Sequence, residues 1–254
     1  MTRRILVISG KGGVGKTTLV ANLAYALAEL GQKVVALDAN PTTPNLGLHF
    51  GFHLAPKTLH NALRGEAEIE EIAYWHPFGF YVIPGSLSLE DIKNAKPEKL
   101  SEITSSLLGK ADFVLMDCSA GLGKETLSAM EACDEIIFLV NPDLPSVLDA
   151  LRALKIAEGL NKKSLGVVVN RVKNAKYELK ASEIEEILGL PVIAKIPEDR
   201  KVEESIALKI PLISFDSSSP ASIEIKKLAC LLAGKKFEHR KKFSILGKIL
   251  RLFK

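Results

Sequence analysis

Long apolar runs are missing from this 254-residue chain. The longest, such as "IIFLV" at 136–140, fall far short of the roughly 18 residues that a membrane-crossing helix needs. The start, "MTRRILVISG", pairs basic residues with an apolar run, but that run is short and passes into a glycine loop rather than a cleavage site. The expectation is a cytoplasmic protein without an export signal. Cysteine is scarce too. Cys118, Cys133 and Cys230 are odd in number, widely spaced and contain no C-x-x-C pair, which argues against a disulfide framework or a metal cage and leaves small buried thiols. Internal repeats and low-complexity segments are also absent, and the one linker-like stretch is 234–242.

What charge there is lies unevenly. Residues 235–254, "KKFEHRKKFSILGKILRLFK", carry eight Lys/Arg and one acid, a net +7. The whole chain is +4, so residues 1–234 net −3, and the basic character belongs to the tail.

Over the rest of the chain, short β-rich apolar runs alternate with helical patterns. "RILVIS" (4–9) reads as a strand, "KTTLVANLAYALAEL" (16–30) has leucines at helical spacing, and "KVVALD" (33–38) reads as a strand again. Further strands are expected at 80–84, 113–117, 135–140, 164–170 and 191–197, and helices near 98–108, 123–132, 144–159, 181–188, 199–208 and 219–233. Such alternation implies an α/β fold, a mostly parallel, doubly wound sheet flanked by helices, with ligands bound beyond the carboxyl ends of the strands. The expected organisation is one domain over 1–234, a basic linker at 235–242 and an amphipathic helix at 243–254.

Gly10, Gly15, Lys16 and Thr17 fit the phosphate-loop pattern G-x-x-x-x-G-K-S/T, with a strand before it and a helix after it. The glycines let the backbone aim its N–H groups at phosphates, Lys16 reaches the terminal phosphates, and the Thr17 hydroxyl holds magnesium. ATP and Mg2+ are the expected ligands. Asp38 and Asp117 each end an expected strand, where a carboxylate can hold the metal or its waters.

The full stretch from Gly10 to Thr18, "GKGGVGKTT", contains a second lysine, Lys11. It resembles the deviant Walker A loop of the MinD/ParA family of P-loop ATPases. The resemblance implies that Gly10, Lys11, Gly12, Gly13, Val14, Gly15, Lys16, Thr17 and Thr18 hold the nucleotide. It also implies that Lys11 reaches the phosphates of a partner subunit's ATP, making a homodimer with ATP sandwiched between subunits. "NPTTPNLGLHFG" (40–51) is similar to the family's first switch and "MDCSAGLG" (116–123) to its second, with Gly121 free to swing and Ser119 in place of the usual proline. "VVVNR" and "KIPED" are similar to the segments that hold the base, which assigns Asn170 and Arg171 to one side of adenine and Pro197, Glu198 and Asp199 to the other; a turn-capping role for Asn170 stays open. Catalytic roles would fall to Lys11, Lys16, Asp38, Asn40 and Asp117. One departure stands out. Most members have Asp-x-Asp at the first switch, and this chain has Asp38-Ala39-Asn40. An amide orients water but cannot take its proton, so slow intrinsic hydrolysis is expected, with an activating partner.

At 100° per residue, Phe243, Ile245, Leu246, Ile249, Leu250, Leu252 and Phe253 share one half of a helical wheel, and Lys248 and Arg251 fall on the other. A basic amphipathic helix of this kind lies in an anionic membrane interface, and the alternative is a helix docked on the protein's own body. A single tail binds weakly, whereas two tails on one dimer act together. The expectation is an ATPase that cycles from cytosol to the cytoplasmic face of the membrane as an ATP dimer, a spatial regulator of cell division or another positioning process, with a protein activator or cargo of unknown identity. A ParA-type DNA-partitioning role is the second reading, weakened by a body of net −3 and kept by "KNAKYELK" (173–180). A flagellar-number regulator lacks its activation extension here, an iron–sulfur carrier would need paired cysteines, and a small-molecule kinase would need an arginine-rich lid.

Overall fold

The computed structural model describes residues 1–52 and 54–238. The amphipathic segment 243–254 and the linker residues from 239 onward lie outside the described residues.

In chain order the elements are β1 (Arg3–Ile8), α1 (Lys16–Glu29), β2 (Val34–Asp38), α2 (Leu46–His49), α3 (Leu59–Arg64), α4 (Ile69–Ile72), β3 (Tyr74–His76), β4 (Phe80–Ile83), α5 (Leu89–Lys93), α6 (Leu100–Ser105), β5 (Phe113–Asp117), α7 (Lys124–Ala132), β6 (Glu135–Val140), α8 (Leu144–Gly159), β7 (Lys163–Val172), α9 (Ala181–Leu188), β8 (Val192–Pro197), α10 (Lys201–Ala207), α11 (Leu212–Phe215) and α12 (Pro220–Leu232). The eight strands form one sheet in the order β3-β4-β2-β5-β1-β6-β7-β8. All pairings are parallel except β3 with β4.

The period of two along each strand explains the layers. Leu6 and Ile8 of β1 face one core with α3, α4 and α6 to α9; Ile5 and Val7 face the other, with α1, α2, α11 and α12. Strands β2, β5 and β6 are buried throughout, which is why they read as continuous apolar runs rather than alternating ones. Because β1 lies between β5 and β6, the loop that follows it opens at the middle of the sheet's carboxyl edge.

The expected strands and long helices are all present, within a few residues of their expected ends. The helix expected near 98–108 is instead a 3-10 turn at Pro97–Lys99 leading into α6. The antiparallel edge strand β3 and the short helices α2 to α5 and α11 had no counterpart in the reading of the sequence. At the sheet's opposite, amino edge, the Arg3 guanidinium donates to the Leu232 carbonyl and Lys235 Nζ to the Leu30 carbonyl, so the last described residues leave the body there.

Candidate functional site

Helix α1 begins without a side-chain cap: Gly15 stands at its N-cap in the left-handed region, φ 105°. Its first N–H groups therefore lack a side-chain acceptor, as an anion site requires. Two glycines here are set by close neighbours. A Cβ on Gly10 would lie 2.1 Å from Asp149 Cβ of α8, and one on Gly15 would lie 2.5 Å from Asn170 Nδ2.

The two lysines of the loop have different surroundings. Lys16 is 8% exposed, and its Nζ donates to Ser9 Oγ at 2.9 Å. Lys11 Nζ reaches Asp143 Oδ1 at 3.1 Å, with both side chains about two-fifths exposed. Asp143 is also the N-cap of α8, where it accepts from Ser146 N at 2.9 Å. An exposed ion pair of this type contributes about 0–1 kcal/mol, so a phosphate can displace it at little cost.

Asp38 and Asp117 end adjacent parallel strands and stand directly opposite each other in the register. Thr17 Oγ1 donates to Asp117 Oδ2 at 2.6 Å, while Asp117 Oδ1 is buried without a protein partner. Burial raises the Asp117 pKa to about 6, against the opposing effects of the Thr17 hydroxyl and Lys16. Asp38, also raised by burial and then by Asp117, has both oxygens occupied: Oδ1 accepts from Asn40 N at 3.3 Å and Oδ2 from Leu46 N at 2.9 Å. It anchors the ends of the 40–46 segment. Asn40 closes a turn within that segment, its Oδ1 accepting from Thr43 N at 3.0 Å and its Nδ2 donating to Thr43 O at 2.7 Å. Gly121, at φ 85°, lies against the loop, its N–H 3.4 Å from the Ser9 carbonyl.

On the other side of the loop, Asn170 Nδ2 donates to the Val14 carbonyl at 2.6 Å. The β7–β8 ladder breaks register between Val169 and Val172, and Arg171 takes a left-handed φ of 57°, which releases this pair from the sheet. Asn170, Arg171, Pro197, Glu198 and Asp199 line one cleft together with Gly15 and Thr18.

Among the described residues, the buried side-chain oxygens without a protein partner are Asp117 Oδ1, Asn141 Oδ1 and Asp199 Oδ2. All three lie at or just beyond strand ends on the carboxyl edge, where unpaired buried oxygens indicate a missing partner. The described residues Lys11, Lys16, Thr17, Asp38, Asn40, Asp117, Gly121 and Asn170 thus gather around the loop, and the expected membrane residues within 243–254 lie outside the described residues. Asp143 and Ser9 were not singled out from the sequence, and Val14 was named for the nucleotide but not as the acceptor for Asn170; the one available signal for Asp143 was the D-x-x-S capping pattern at 143–146. All three cysteines are free and buried, and burial pushes the Cys118 and Cys133 thiols up to about 12. The described residues contain no cluster of three or more His, Cys, Asp or Glu that could hold a metal, and no helix among them is long and apolar enough to cross a membrane.

Comparison with known proteins shows the family of the chain. An uncharacterized ATP-binding protein of Methanocaldococcus jannaschii is 42% identical over 254 residues, covering 99% of this chain and 96% of that protein. The septum site-determining protein MinD of Pyrococcus horikoshii, solved in complex with Mg-ADP, superposes with a TM-score of 0.88 at 36% identity, covering 91% of this chain and 96% of that one. The cell division ATPase MinD of Pyrococcus furiosus gives 0.89 at 36% identity, with 92% and 99% covered. Residues 5–212, which include the phosphate loop, match the family model described as the CobQ/CobB/MinD/ParA nucleotide-binding domain, and the chain belongs to that family.

Proposed function

We propose that this protein is a MinD-like ATPase that dimerises on ATP, binds an anionic membrane reversibly through residues 243–254, and acts as a spatial regulator of cell division or a related positioning process. The contrast between the two lysines carries this reading. Lys16 is enclosed beside its own loop; Lys11 stands at the surface on a weak ion pair, next to the exposed Leu144 and Leu148 of α8. A partner's phosphate would draw Lys11 from Asp143, and a second copy would cover the two leucines.

Thr17 and Asp117 are the residues fitted to Mg2+, since the unpartnered Asp117 oxygen and the Thr17 hydroxyl stand together. The ion, when bound, supplies charge neutralisation on the phosphates. Lys16 and the α1 N-terminus bind and orient the phosphates, Asn170 and Asp199 offer polar groups to the base, and Asn40 orients the attacking water without accepting its proton.

The test is cosedimentation with anionic vesicles in ADP and in ATP, for the full chain, a version ending at Gly234 and Lys11→Ala, alongside light scattering for subunit number. The expected outcome is ATP-dependent dimerisation and sedimentation of the full chain alone. Vesicle binding that ignores nucleotide or the tail overturns the membrane reading. Exposed Arg171, Lys173, Lys176 and Lys180 make DNA the second reading, and ATP-dependent DNA retention by the truncated chain would favour it.

A further inference from the structure

His60 lies on α3, outside every motif of the phosphate site. Its side chain is fully buried and both ring nitrogens are engaged. Nδ1 accepts from the backbone N–H of Ser86 at 2.9 Å, and Nε2 lies 2.8 Å from the carbonyl of Pro41, the residue after Asn40. An amide N–H only donates and a carbonyl only accepts, so the ring is neutral with its hydrogen on Nε2. The far end of this connection is itself held: Ser86 Oγ donates to Asp91 Oδ2 at 2.5 Å, and Arg64 Nη1 donates to Asp91 Oδ1 at 2.6 Å. A Cβ on Gly85 would come within 2.4 Å of Pro44 Cβ, so the 40–46 segment rests directly on the 84–86 turn beside the imidazole.

The other hydrogen bonds of this segment are of a different kind. Asp38, one of the carboxylate pair beside the metal-fitted site, accepts from the Asn40 and Leu46 N–H groups, and Thr42 Oγ1 meets Glu125 of α7 at 3.2 Å. The bond from His60 depends on neither the nucleotide nor the second switch. On the proposed function Asn40 acts on water by orientation alone, and orientation depends on how firmly its backbone is held.

We infer that His60 is a positioning residue for ATP hydrolysis, its Nε2–H fixing the Pro41 carbonyl and thereby the placement of Asn40. The inference rests on the proposed function for hydrolysis, but the strut itself can be tested without nucleotide. Two replacements separate the two bonds. His60→Gln keeps a donor at the Nε2 position, and His60→Asn keeps an acceptor at the Nδ1 position and leaves the Pro41 carbonyl without its donor. Amide hydrogen exchange over residues 40–50 is measured on the nucleotide-free full chain, and kcat and KM for ATP are measured separately. For His60→Asn the expected result is faster exchange confined to that segment and a kcat lower by about 3- to 10-fold, with KM within about twofold. His60→Gln stays close to wild type in both. Equal behaviour of the two variants, unchanged exchange in His60→Asn, a raised kcat, or an effect carried by KM would overturn the inference. If His60→Asn does not fold, His60→Gln decides alone: wild-type exchange and kcat support the strut, and a loss in either defeats it. A wild-type chain that hydrolyses no ATP defeats the proposed function instead, and the exchange result still stands on its own.

Discussion

Asp117 carries a cost in the metal-free protein that its ligand would remove. Its carboxyl holds a proton up to about pH 6 in the folded chain, against the ordinary 3.8. Between those values the folded state binds more protons than the unfolded one, so this group's contribution to stability falls as pH rises and is fully lost above pH 6. The shift corresponds to a cost on the order of 3 kcal/mol. In EDTA, Asp117→Asn should therefore melt higher than wild type at pH 7 to 8, and the difference should shrink towards pH 4. Mg2+ with ATP should stabilise wild type and leave the variant nearly unmoved. Melting curves across pH for both proteins measure this, and an equal response to Mg-ATP would remove Asp117 from the metal site. The sequence identified this residue because a carboxylate at a strand end beside a phosphate loop has a recognisable chemistry. It did not identify Asp143 as the partner of Lys11, because that pairing spans 132 positions and depends on how α8 packs against the loop.

At the scale of elements, the turn at 40–43 gives a structural reason for Asn40 that the sequence comparison with other members does not. The amide satisfies both the N–H and the C=O of Thr43, and a carboxylate could serve only the first. Asn40→Asp should then hydrolyse ATP faster, because it regains a base, while losing roughly 1 kcal/mol of stability with the broken hydrogen bond. Steady-state turnover and thermal melting report the two effects independently; a variant slower than wild type would refute the first. The same contrast between local and distant causes governs what could be read beforehand. Strands β1, β2, β5 and β6 and helices α1 and α8 announce themselves through composition and period over five to sixteen residues. Strand β3 and helices α2 and α4 span only three or four residues, too short to show a period, and are held by contacts made elsewhere in the fold. His60 belongs with them: a lone histidine in "TLHNAL" has no local signature, and its role exists only where β4 and the first switch meet.

For the whole molecule, the two ends of the sheet carry different residues. The nucleotide residues gather at its carboxyl edge, while Arg3 and Leu30 hold residues 232–235 at its amino edge, separated by the length of β1. Six residues of strand span about 20 Å. The last described residues therefore leave the body about that far from the phosphate loop. On the proposed function, the tail reads the nucleotide as a head count: one subunit or two. If that is so, ATP is replaceable. Two full-length chains joined through an appended dimerising module should sediment with anionic vesicles in ADP, or with no nucleotide at all, and a failure to do so would mean that ATP alters the tail's availability as well as its number. The molecule would then be a coincidence detector whose threshold is set by protein concentration, and whose position in the cell could be rewritten without altering a single residue of its nucleotide site.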